Sequence, residues 1–190
     1  MAKEWVLITN SKDNMLRLNF IEADITTLEV DVIVNAANEA MLGGGGVDGA
    51  IHRAAGPRLY EACLAFPDEN GVRVPTGDAR ITPAFNLPSK FVVHTAGPIW
   101  HGGDNGEEDL LAACYWNSLM LASIHGKSVA FPAISTGIFG YPIDKACETV
   151  IETIRQFDTY FYIDRVILVT FKSPEVTNCF KAMGIQEGDG

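Results

Sequence analysis

Val30-Asp-Val-Ile-Val-Asn35-Ala-Ala-Asn38-Glu-Ala-Met-Leu-Gly43-Gly-Gly-Gly46-Val-Asp48-Gly-Ala-Ile-His52 passes from a β-branched run, through four consecutive glycines, into a helical pattern. A short β-branched run suits a buried strand. Glycine accepts backbone angles that other residues avoid and lets a ligand come close to the main chain. Consecutive amides can then point into one concavity with a helix N-terminus behind them, which is a seat for a diphosphate. The segment lacks the Gly-Lys-Ser/Thr of a Walker A loop. It also lacks a Gly-x-Gly-x-x-Gly fingerprint with a ribose-binding acid downstream.

Outward from this segment, strand-like and helix-like patterns alternate along the chain. Trp5–Thr9, Leu16–Phe20, Val30–Asn35, Ala79–Thr82, Phe91–Thr95, Val129–Ile134 and Arg165–Phe171 read as strands. Val47 to Phe66, interrupted at Gly56-Pro57, Glu107 to His125, Asp144 to Phe157 and a stretch near Pro174–Met183 read as helices. Such alternation implies an α/β sheet covered on both faces, mixed because the leading strands can add antiparallel neighbours. Ligands of such sheets bind in loops at the carboxyl ends of strands. Ser135-Thr-Gly137-Ile-Phe139-Gly140-Tyr-Pro142 is a second small-residue loop between a strand and a helix, placed to clasp a diphosphate from the other side.

Polar groups flank the first loop. Asn35 and Asn38 lie at the end of the strand, and Asp48 and His52, four apart, share one helical face. Their convergence suits amides and a carboxylate that hold hydroxyls beside a diphosphate. Each also has a plainer reading: Asp48 as a helix-start acid, His52 as a packing histidine, Asn38 as a turn residue.

Composition narrows the partners. The 190 residues carry 14 Lys+Arg against 24 Asp+Glu, a formal net charge of −10, with 47% hydrophobic and 20% charged residues. These values fit a globular chain and argue against general nucleic-acid binding, which draws on Lys and Arg. An anionic ligand would be held by backbone dipoles instead. No signal peptide or membrane helix is evident, and a cytoplasmic protein is expected. Cys63, Cys114, Cys147 and Cys179 lie far apart without a Cys-x-x-Cys pair and read as buried thiols on helices. Four acids at the start of the longest helix (Asp104, Glu107, Glu108, Asp109) read as helix-dipole partners. Arg53, Arg58 and Lys145 read as solvated.

Taken together the motifs resemble the macrodomain family, in its MacroD-like ADP-ribose hydrolase branch. The resemblance runs from about Leu16 to Phe171. It rests on Ala23-Asp-Ile-Thr26, Val30–Asn38, Gly43–Gly56, Thr76-Gly-Asp-Ala79, His94-Thr-Ala-Gly-Pro98 and Ser135–Pro142. It implies one domain over residues 1–190, a three-layer α/β/α sandwich with a mixed, mostly parallel sheet. It implies that Asp24 reads the adenine amino group, with Ile25 beside it, and that Phe171 packs on adenine. Gly44, Gly45, Gly46 and Val47, with Ser135, Thr136, Gly137, Ile138 and Phe139, match the diphosphate loops. Phe139 would lie against the distal ribose. Asn38 and Asp48 match the pair implicated in hydrolysis, and Asn35 and His52 match neighbours that shape the site.

The implied chemistry is metal-independent and needs no cofactor: hydrolysis of acyl esters at the distal ribose. The implied substrates are O-acyl-ADP-ribose and ADP-ribose esterified to Asp or Glu of proteins. The competing expectations are a non-catalytic ADP-ribose reader and a regulator that acts on a ribonuclease through protein contact.

Overall fold

The alternating patterns resolve, in the computed structural model, into seven strands and five α-helices, with residues 6–9, 15–158 and 163–188 described. In chain order these are β1 (Val6–Thr9), β2 (Met15–Glu22), a 3-10 turn (Ile25–Thr27), β3 (Val32–Ala37), α1 (Gly46–Ala55), α2 (Pro57–Leu64), β4 (Ala79–Pro83), β5 (Phe91–Ala96), α3 (Glu107–His125), β6 (Ser128–Phe131), α4 (Ile143–Asp158), β7 (Arg165–Thr170) and α5 (Pro174–Ala182). Trp5, expected to open the first strand, lies outside the described residues.

The strands form one mixed sheet in the order β1-β2-β7-β6-β3-β5-β4. Neighbours from β2 to β5 are parallel, and the two edge strands are antiparallel. Side chains alternate between the faces with period two. Val32, Val34, Val93, Val129, Phe131, Val166 and Leu168 pack with Leu111 and Leu119 of α3, Ile151 and Ile154 of α4, and Phe180 of α5. Ile33, Val92, Ala130, Ile167 and Val169 pack with Ile51 of α1 and Leu59 and Cys63 of α2. The result is the expected three-layer sandwich.

Several boundaries differ from expectation for local reasons. The third strand starts at Val32 because the Asp31 N–H donates to Ser128 Oγ rather than to a neighbouring strand, while its carboxylate accepts from Lys90 Nζ, the N–H groups of Lys127 and Ser128, and Ser128 Oγ. The sixth strand stops at Phe131, since Pro132 has no N–H to extend a ladder. The second helix stops at Leu64, just short of Pro67. Three cysteines are buried as expected, but Cys179 is partly exposed.

Glu107 does more than face a helix dipole. It is buried, and its carboxylate accepts the N–H groups of His101, Gly103 and Asn105. Burial would push its carboxyl up, yet its own N–H and these donors hold it at about 2.

The strand order decides where a ligand can bind. It sets the carboxyl end of β3 beside that of β6, β6 beside β7, and β7 beside β2. The β3–α1 and β6–α4 loops, far apart in sequence, thus open on the same rim of the sheet.

Candidate active site

Two cavities open on that rim and share the lining residues Gly46, Val47, Ala133 and Gly137, so they form one continuous cleft. The smaller, about 270 Å³, is lined by Asn38, Gly44, Gly45, Asp48, Gly97, Ser135, Ile138 and Phe139, among others. The larger, about 560 Å³, is lined by Asp24, Ile25, Arg53, Thr136 and Phe171, among others.

The first-turn amides of α1 (Gly46, Val47 and Asp48) precede any intrahelical acceptor; Gly46 and Val47 line both cavities, Asp48 the smaller one. No side chain caps this N-terminus; Gly45 is the N-cap. Donors and helix dipole are therefore left for an anion. The facing loop is held by Tyr141 N–H to Ser135 O, Gly140 N–H to Gly137 O and Thr136 Oγ1 to Ala133 O. Ser135 has a left-handed φ of +64°, an unfavourable conformation for a non-glycine residue. Its buried Oγ has no hydrogen-bond partner among the described residues. A Cβ on Gly97 would collide with that Oγ, so this wall of the cavity needs glycine.

Asp48, on the first turn of α1, is 4% exposed. Its Oδ1 accepts from Asn35 Nδ2 at 2.7 Å and lies 3.5 Å from His52 Nε2. Its Oδ2 is buried and, among the described residues, has no hydrogen-bond partner. Burial pushes the carboxyl above the ordinary carboxylate range, against the opposing pull of the Asn35 bond and of His52. A buried, half-satisfied carboxylate is costly for folding. It is also a stronger base than an exposed aspartate.

Asn38 is exposed on the cavity wall. Its Oδ1 accepts from Met41 N–H, and its Nδ2 donates one hydrogen to Gly43 O. One amide hydrogen remains for a ligand. Behind Asp48, Asn35 Nδ2 also contacts His94 Nδ1 at 3.2 Å, and His94 Nε2 lies 3.0 Å from Thr82 Oγ1. Burial, then His52, hold the His94 imidazole down at about 3.

His52, Cys63 and His94 are mutually close enough to suggest a metal site, with candidate atoms within 4.8 Å. Both nitrogens of His94 are already engaged by Asn35 and Thr82. Burial and the Asp48 charge push the Cys63 thiol up to about 12, against a smaller opposing pull from Arg73. Cys63 Sγ also lies 3.7 Å from His94 Nε2, and His52 Nε2 faces Asp48 Oδ1 at 3.5 Å.

At the far end, Asp24 caps the 3-10 turn, its Oδ1 accepting from Thr26 N–H and Oγ1. Among the described residues no bond uses its Oδ2. Phe171 is 60% exposed at the cavity mouth, with Lys172 Nζ 5.1 Å from its ring centroid.

The fold thus brings to one cleft every expected site residue except Asn35 and His52, which line neither cavity and sit behind Asp48. Arg53, read from sequence as solvated, is exposed but forms part of the larger cavity's wall. Its helical spacing from Gly46 and Ala50 was the available signal. Arg58 lies over the Phe85 ring, 4.8 Å from its centroid.

The chain is similar to known proteins in sequence and fold. The Macro domain family model matches residues 34–150. A Macro domain-containing protein of Chlorobaculum tepidum is 58% identical over 145 residues, which cover 76% of this chain and 81% of that protein. The O-acetyl-ADP-ribose deacetylase of Escherichia coli K12 is 48% identical over 174 residues, 91% of this chain and 98% of that enzyme. The structure of an Oceanobacillus iheyensis macrodomain mutant with ADPR superposes with a TM-score of 0.82 at 44% identity, covering 92% of this chain and 94% of that one. A Trypanosoma brucei macrodomain in complex with ADP-ribose gives 0.79 at 32% identity, covering 95% and 74%.

Proposed function

This chain belongs to the Macro domain family, and from that premise we propose that it binds ADP-ribose along the joined cavities and hydrolyses acyl esters at the distal ribose. The larger cavity takes the adenosine end, with Asp24 accepting from the adenine amino group and Phe171 packing on the ring. The α1 amides and the Ser135–Phe139 loop take the diphosphate, and the smaller cavity takes the distal ribose against Phe139 and Asn38. The similarity to O-acetyl-ADP-ribose deacetylases, and to macrodomains solved with ADP-ribose, supports this reading.

The observation that carries the catalytic half is the buried, unpartnered Oδ2 of Asp48 beside Asn38 in the smaller cavity. Asp48 takes a proton from a water as the water adds to the ester carbonyl. The acyl–oxygen bond then breaks, the ribose oxygen takes a proton, and the products are the carboxylic acid and ADP-ribose. An ester is labile enough for positioning and one modest base to suffice. The reaction invokes no metal and no cofactor.

The same bond type occurs when ADP-ribose is esterified to a protein Asp or Glu, and we extend the proposal to such mono-ADP-ribosylated proteins. A panel of O-acetyl-ADP-ribose and Glu-, Ser- and Arg-linked ADP-ribose tests it. Release from the first two alone is expected. Tight binding with no release from any of them identifies a reader instead.

A further inference from the structure

We infer that His94 is a positioning residue for this hydrolysis: its Nδ1 fixes the Asn35 amide in the orientation that donates to Asp48. The inference rests on the hydrolase reading above. A primary amide can turn its oxygen or its nitrogen toward a neighbour. Asn35 Nδ2 carries two hydrogens and meets two acceptor positions, Asp48 Oδ1 at 2.7 Å and His94 Nδ1 at 3.2 Å. A half-turn of the amide would set its oxygen against a carboxylate oxygen and a ring lone pair. Both contacts would then repel.

Nδ1 can enforce this only as an acceptor. A neutral imidazole has one donor and one acceptor nitrogen. Thr82 Oγ1 stands 3.0 Å and Cys63 Sγ 3.7 Å from Nε2, so a proton on Nε2 finds an acceptor there and the Nδ1 lone pair is left for Asn35. His94 is fully buried, so no water competes for either nitrogen. The sheet register makes the arrangement: Asn35 pairs directly with His94 across β3 and β5, and Thr82 stands on the neighbouring β4. A hydrogen-bonded line therefore runs from an edge strand, through His94 and Asn35, to the first turn of α1. The other titratable groups around Asp48 are His52 on its own helix, 3.5 Å away, and Cys63 on α2, itself influenced by Arg73.

The test compares His94→Asn with His94→Gln. The asparagine amide can place an acceptor where Nδ1 stands. The glutamine amide reaches instead toward the Nε2 position and Thr82. Both remove the ring, and asparagine, one methylene shorter, leaves the larger void, so packing loss alone would penalise His94→Asn more than His94→Gln. Turnover of O-acetyl-ADP-ribose and the titration midpoint of the Asp48 carboxyl, followed by carbon-13 NMR, are measured below both melting temperatures. His94→Asn is expected to keep kcat within about threefold, and His94→Gln to lose roughly tenfold in kcat with little change in KM. The Asp48 midpoint should rise in His94→Gln alone.

Equal kcat and equal Asp48 midpoints in the two variants would overturn the inference. If the wild-type protein cleaves no ADP-ribose ester, the hydrolase reading fails, and the Asp48 midpoints still decide whether His94 governs the Asn35–Asp48 bond.

Discussion

A Cβ placed on Gly44 would stand 3.1 Å from Asp48 Oδ2 and 3.3 Å from Asn38 Nδ2. The glycine run therefore does two jobs. Its backbone offers donors at the helix N-terminus, and its lack of a side chain keeps the space around the unpartnered carboxylate oxygen open. Gly44→Ala should fill that space, and kcat is expected to fall roughly tenfold or more, because a small displacement of the reacting groups is costly. The melting temperature should change little. Steady-state kinetics beside a thermal melt check both.

Asp24→Asn separates recognition from folding. The amide oxygen can still accept from Thr26 and cap the 3-10 turn. The charge that strengthens a bond to the adenine amino group is gone. ADP-ribose affinity, read by calorimetry, should weaken roughly tenfold, with an unchanged melt. Unchanged affinity would remove Asp24 from the adenine-reading role.

The pH dependence of turnover should carry the signature of a buried base. Burial raises the Asp48 carboxyl above its ordinary range, and only the anion can take a proton. Activity should therefore fall with decreasing pH at a midpoint above that of an exposed aspartate. The same shift has the opposite consequence for stability. The folded state binds this proton more tightly than the unfolded state, so the stability contribution of Asp48 falls as pH rises through the window. At neutral pH, Asp48→Asn should melt higher than the wild type.

At the other end of the sheet, Asp31 should give the reverse acid response. Burial would raise its carboxyl, but Lys90, the Lys127 and Ser128 N–H groups and the Ser128 hydroxyl hold it at about 2, below the ordinary 3.8. Its contribution is fully present above pH 3.8 and is lost as pH falls through about 2. Asp31→Ala should cost about 1 kcal/mol at pH 7, discounted for the solvent exposure of Lys90, and progressively less toward pH 2. Urea melts at the two pH values check the difference.

The sheet, its flanking layers and most of the cleft were readable because their signals are local. Four glycines between a β-branched run and a helical pattern mark a loop against which a ligand can lie. Asp48 and His52 four apart mark one helical face. What the local pattern could not carry is register. His94 comes to lie beside Asn35, 59 positions away, only because β5 pairs with β3, and neither residue states that pairing. Asn35 and His52 were read as neighbours that shape the site, and the fold sets them behind Asp48, on neither cavity wall. Glu107 looked like one of four helix-start acids, and only the folded loop from His101 to Asn105 shows what it holds.

The central claim is that Asp48 performs the chemistry while other residues hold the ligand. Single-turnover hydrolysis of O-acetyl-ADP-ribose by the wild type and by Asp48→Asn, with ADP-ribose affinity measured on both, tests it most directly. A fall in rate on the order of a hundredfold or more, with affinity preserved within a few-fold, is the predicted result. An Asp48→Asn protein that hydrolyses the ester as fast as the wild type would contradict it.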